Sequence, residues 1–112
     1  MNEACLMRLI HEYSEDYVTQ PSRILTKDSF DRACFSSWAF DEIVSRLIDE
    51  MSRLPQHITG RDPIPYFDII EEFIDDMDHM AETTTDYHKR FIFLVARDTG
   101  SDLLSFLKGE FQ

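Results

Sequence analysis

Helix-breaking residues are scarce in this chain and confined to a few places. Its 112 residues include three glycines (Gly60, Gly100, Gly109) and four prolines (Pro21, Pro55, Pro63, Pro65), and no proline interrupts the interior of a stretch with helical apolar spacing. A chain punctuated this sparsely cannot reverse often enough to build many short strands, so it must fold as a few long elements. Hydrophobic residues make up 43% of it, enough for a core, and the length suits one domain. The expectation is an all-α, single-domain bundle over residues 1–112 with about four helices, at roughly 3–17, 28–54, 65–82 and 86–108. No repeat of 20–50 residues occurs, and only Thr83-Thr84-Thr85 is low in complexity.

Each helix is read from its apolar spacing and its ends. Asn2 is a candidate cap for the first, whose narrow stripe is Leu6, Leu9, Ile10, Tyr13 and Tyr17. The segment around Pro21 reads as a connection. A start at Thr26-Lys27-Asp28-Ser29 opens the second helix, with Phe30, Ala33, Cys34, Trp38, Phe40, Ile43, Val44, Leu47, Ile48, Met51 and Leu54 as its stripe and Pro55 as its stop. Trp38, the single tryptophan, is expected to anchor the core. Pro55 to Pro65 reads as a surface connection, with Pro65 suited to a first helical turn. Tyr66, Phe67, Ile70, Phe73, Ile74, Met77, Met80 and Ala81 then mark the third helix. Thr84 or Thr85 is expected to cap the last, with Asp86 in its first turn. Phe91, Ile92, Val95, Thr99, Leu103 and Phe106 form its stripe, widened by Leu94, Leu104 and Leu107, with a bend at Gly100. Arg90 to Ala96 also has strand propensity, but no second such run exists to pair with it.

Several function classes are disfavoured at this level. Cys5 and Cys34 are too few for a disulfide scaffold, lack the spacing of a zinc site, and fall on apolar stripes where a thiol is inert. Glu3 stands where a secretory signal carries positive charge, and the longest apolar run, Phe91 to Ala96, is far too short to cross a bilayer. A reduced, cytoplasmic protein with no membrane association is the expectation. No glycine-rich phosphate loop and no Gly-x-Ser-x-Gly turn occurs, so no cofactor and no nucleophilic catalysis are expected. His11, His57 and His88 read as surface residues, His57 within an exposed loop at 56–61.

Charge is the feature that remains. The chain has 22 acidic residues against 11 Lys or Arg, a formal net charge of -11, which argues against direct contact with a phosphate backbone. That charge is concentrated between Tyr66 and Asp86, where Asp68, Glu71, Glu72, Asp75, Asp76, Asp78, Glu82 and Asp86 stand without a Lys or Arg. Elsewhere Glu42 with Arg46, and Asp49 with Arg53, are spaced to pair along a helix. On the third helix the acids recur every three or four residues opposite the apolar stripe, a ridge of about 21 Å from Asp68 to Glu82. Three readings follow. The ridge can be a docking face for a basic partner, a nucleic-acid-binding protein above all, with carboxylates standing in for backbone phosphates in an inhibitor or regulator. It can serve solubility alone, in a helical subunit that self-associates through its narrow first helix and through Phe106 and Phe111. Or Asp75, Asp76, His79 and Glu82, with Glu72 in a Glu-x-x-Asp pair, can serve a metal-dependent hydrolase, which would need matching acids from among Asp41, Glu42, Asp49 and Glu50.

Overall fold

A computed structural model describes residues 3–18, 27–53 and 64–111, apart from the side chains of 27–30, 64 and 65. Asn2, Pro21, Leu54, Pro55, His57 and the 56–61 loop lie outside these residues. Four helices, α1 (Glu3–Val18), α2 (Lys27–Arg53), α3 (Ile64–Thr83) and α4 (Tyr87–Glu110), account for the described chain, each ending within two residues of its expected bounds. No strand occurs among them, and residues 90–96 lie wholly inside α4. Lacking any partner strand, that apolar run satisfies its backbone internally.

α4 is the hub. It packs against the other three helices, most extensively α3, while α1 lies on α2 and α4 and the α2–α3 seam is comparatively open. The molecule is 22 Å thick at its thinnest, about two helix diameters. One core joins Leu6 and Ile10 of α1, Phe40, Ile43 and Leu47 of α2, Tyr66, Ile70, Phe73 and Met77 of α3, and Ala96, Leu103 and Leu107 of α4. Burying each large member contributes about 1.5–3 kcal/mol. Beside it, Tyr13 stacks on Phe106 at 4.5 Å, and Tyr13 and Tyr17 meet Phe40 edge-on. Phe111 packs against Phe67 at 6.0 Å. Phe106, Phe111 and the aromatic side of α1 thus pack within the molecule while staying partly exposed.

The buried face of α2 is rotated from the expected stripe. Ser36 is buried, its hydroxyl 2.9 Å from that of Thr99, which in turn donates to the Val95 carbonyl at 2.8 Å. Thr99 has committed its proton, so Ser36 donates to Thr99 and both buried hydroxyls are satisfied. Residues two apart on a helix point about 200° apart, so turning Ser36 inward turns Trp38 outward. Trp38 is 42% exposed, its ring centroid 6.4 Å from that of Phe73. The expectation of a core anchor is therefore wrong for Trp38. Cys34 is likewise exposed, Ile48 is exposed, and Cys5 is half-buried.

In α4 the deepest line is Val95, Ala96, Thr99, Gly100, Leu103, Leu104 and Leu107, with Phe91, Ile92 and Phe106 at its margin. α4 runs unbroken through Gly100. The role of this residue is close approach: a Cβ there would stand 3.0 Å from Ile74 Cγ1 and 3.3 Å from Phe73 Cδ2. Glycine lets α3 and α4 pack backbone to side chain at the centre of the molecule.

Candidate functional site

The acidic residues of α3 are distributed by the helix itself. Tyr66, Phe67, Ile70, Phe73, Met77 and Ala81 face the core, and at 100° per residue the acids fall into three rows around the remaining surface. Glu71 and Asp78 lie on the edge towards α4, Asp76 on the edge towards α2, and Asp68, Glu72, Asp75 and Glu82 on the outer face with His79 among them.

The two edge rows are neutralised by neighbouring helices. Lys108 Nζ lies 3.2 Å from Glu71 Oε1, and Arg97 Nη1 2.9 Å from Asp78 Oδ1. On the other edge Arg46 Nη1 lies 2.9 Å from Asp76 Oδ2 and its Nε 3.5 Å from Glu42, with the guanidinium 5.2 Å from the centre of the Phe73 ring. Burial would lower the Arg46 pKa, but the Asp76 and Glu42 carboxylates outweigh it and hold the group above its ordinary value. Hydrogen bonds to Asp78 and Asp98 do the same for Arg97. The acidic segment has no base of its own, yet the fold supplies three from outside it. Such partly exposed pairs contribute about 0–1 kcal/mol each, and they fix the register of α3 on its neighbours. Of the expected i,i+4 pairs, Glu42–Arg46 forms, whereas Arg53 turns to Glu50 at 4.0 Å.

The outer row is different. Asp68, Glu72, Asp75 and Glu82 are exposed and have no basic partner among the described residues. Their spacing of four, three and seven residues makes a line along the helix, one carboxylate or His79 per turn of about 5.4 Å. No described Lys or Arg lies on the face, so its potential is screened by solvent and salt.

The end of α3 is sealed by α4. α3 has no basic residue in its last turn, and Glu82 there opposes the helix dipole. Arg90 of α4 supplies the missing charge: its Nε donates to the Ala81 carbonyl at 3.1 Å and its Nη2 to the Thr84 carbonyl at 3.0 Å. Asp86, expected in the first turn of α4, is instead its N-cap, with Oδ1 accepting from the backbone N–H of His88 at 2.9 Å and of Lys89 at 3.2 Å. Those bonds, that from Lys89 foremost, hold its carboxyl below the usual range. Thr84 orients this cap by accepting from the Asp86 N–H at 3.2 Å. Asp86 therefore does structural work at the corner, set apart from the outer line.

Asp75, His79 and Glu82 do share the outer face, but among the described residues no three His, Cys, Asp or Glu side chains come together as a metal-holding set. Asp76 and Glu42 are turned to Arg46. A cleft of about 320 Å³ between α2 and α3 is lined by Arg46, Asp49, Glu50, Arg53, Ile69, Glu72 and Asp76. Its mixed charges select neither an anion nor a cation. His11 pairs with Glu15 at 3.1 Å and His88 packs edge-on to Phe35, both at the surface. No described helix is long and apolar enough to cross a membrane.

Fold and surface together define a small four-helix protein with one unneutralised acidic helix face. No family model, curated protein or solved structure matches the chain.

Proposed function

We propose that this protein is a non-enzymatic inhibitor or regulator that docks the outer face of α3 on a basic surface of a partner, the nucleic-acid-binding surface of a protein or complex above all. The observation that carries this reading is the contrast among the α3 acids. Glu71, Asp76 and Asp78 are each met by a base from another helix, while Asp68, Glu72, Asp75 and Glu82 have none among the described residues and fall in a single line. Leaving them so costs stability, since like charges at i,i+3 and i,i+4 destabilise a helix by a few tenths of a kcal/mol per pair. A partner bearing Lys or Arg at matching intervals relieves that repulsion on binding and is steered to the face from a distance. The rigid helix holds the carboxylates in place beforehand, so little side-chain ordering opposes association.

The test is affinity capture from a native lysate with the intact chain, beside two variants. One neutralises the line (Asp68→Asn, Glu72→Gln, Asp75→Asn, Glu82→Gln). The other neutralises four exposed acids of α1 and α4 (Glu12→Gln, Asp16→Asn, Asp98→Asn, Glu110→Gln). A specific partner is retained by the native protein and the second variant, lost by the first, and released by added nucleic acid. Equal retention by all three reduces the acidity to a solvated surface.

A further inference from the structure

Resting on that reading, we propose that the partner element seated on α3 is an amphipathic basic helix, whose apolar side covers the exposed Trp38 and Met80 at the α2–α3 seam, above the buried Phe73, while its Lys/Arg side meets the acidic line. Trp38 and Met80 are two of the four exposed large hydrophobic side chains among the described residues, with Ile48 and Tyr87. Trp38 is 42% and Met80 41% exposed, although each belongs to a residue class that ordinarily packs inward. Trp38 rests against Phe73, and Met80 lies two turns beyond Phe73 on the same side of α3. Ile69, one turn before Phe73, carries the strip into the α2–α3 cleft. Ile69 and Met80 thus stand about 16 Å apart along one side of α3, three turns of helix, with Phe73 buried beneath them.

Charge complementarity decides what covers it. The acidic line runs parallel to this strip, roughly a third of a turn around α3, so the two are about 10 Å apart, the width of one helix. Asp76, the charge lying between them, is already held by Arg46. An uncharged apolar segment would leave the carboxylates unmet, and a purely basic coil would leave Trp38 and Met80 in water. A helix with apolar residues at i, i+3, i+4 and i+7 and Lys or Arg on the adjoining face satisfies both. A second copy of this chain is disfavoured because its described surface offers no comparable run of unpaired bases.

Trp38 is the only tryptophan, so its emission reports on the seam directly. The probes are two synthetic peptides of identical Lys/Leu composition and about 18 residues, one with leucine at helical spacing and one shuffled so that no apolar face forms. At low salt the amphipathic peptide is expected to shift Trp38 emission to the blue, saturably, and to bind at least about tenfold more tightly than the shuffled one, a difference of about 1.4 kcal/mol. By calorimetry, Trp38→Ala and, separately, Met80→Ser are expected to remove most of that preference while leaving the shuffled peptide's weaker binding unchanged. Met80→Ser keeps Trp38 in place, so a fault in folding caused by the first substitution does not obscure the result. Equal binding of both peptides, unaffected by either substitution but lost in the line-neutralised variant, overturns the seam and leaves the acidic face standing. Binding of neither peptide, or undiminished binding by the line-neutralised variant, overturns both.

Discussion

Single residues in this protein are decided by what stands opposite them in space. Gly100 reads along the chain as a bend, whereas its neighbours are Ile74 and Phe73 of α3 at distances a methyl group cannot share comfortably. Gly100→Ala gains up to about 1 kcal/mol in helix propensity but overpacks the α3–α4 contact by about 1–3 kcal/mol. The expected net is a loss of about 1 kcal/mol in urea unfolding, and a stabilised variant would show that α3 does not approach there. Tyr17 donates to Asp102 at 2.8 Å, and burial first, then that carboxylate, push its phenol up to about 12 from an ordinary value of 10.0. The neutral phenol is the form the fold favours, so its contribution is complete below pH 10 and is lost as pH rises towards 12. Tyr17→Phe should therefore be less stable at neutral pH and lose less than the native protein between those limits, as melting temperatures across the range will show. Asp86 has the opposite sign: its carboxyl is held below 3.8, so capping is intact above that value and fails as pH falls through the lowered one. Asp86→Asn should keep most of the cap and lose this acid dependence, whereas Asp86→Ala should lower the melting temperature at neutral pH.

Whole elements were more legible than faces. Sparse glycine and proline, together with three-to-four-residue apolar spacing, locate all four helices to within two residues, because helix length and termini depend on local chemistry. Which side of a helix turns inward depends on partners that a sequence leaves unspecified. Ser36 is absent from the expected stripe yet is buried beside Thr99, while Trp38, two residues on and expected inside, is exposed. The site shows the same division. All the α3 acids were visible, but not that Arg97 and Lys108 of α4 would claim Asp78 and Glu71, or that Arg46 of α2 would claim Asp76. A signal did exist: Arg90, Arg97 and Lys108 fall on one edge of α4, and Glu71 and Asp78 on one edge of α3. Matching the two requires knowing that these helices are neighbours. The division of α3 has a measurable consequence. Neutralising Asp68, Glu72, Asp75 and Glu82 relieves repulsion and should leave stability unchanged or raise it by a few tenths of a kcal/mol per relieved pair, whereas Glu71→Gln with Asp78→Asn should cost up to about 1 kcal/mol per lost ion pair. Equal effects in chemical denaturation would erase the distinction between edge and outer face.

At the scale of the molecule, the acids behind the net charge of -11 are spread over all four helices, and α3 is where exposed carboxylates line up along one face. Arg46, Arg97 and Lys108 stand at the flanks of α3, and on the proposed reading the outer carboxylates are met by a partner. Such a surface acts through long-range attraction, so its signature is dependence on ionic strength more than any single contact energy. The most direct test is the dissociation constant of the captured partner as a function of salt, for the native chain and for the variant neutralised at Asp68, Glu72, Asp75 and Glu82. The account requires native affinity to fall about tenfold or more between 50 and 200 mM salt, and the variant to bind weakly at both with a much flatter dependence. A variant that binds as tightly as the native protein, with the same salt slope, would contradict it.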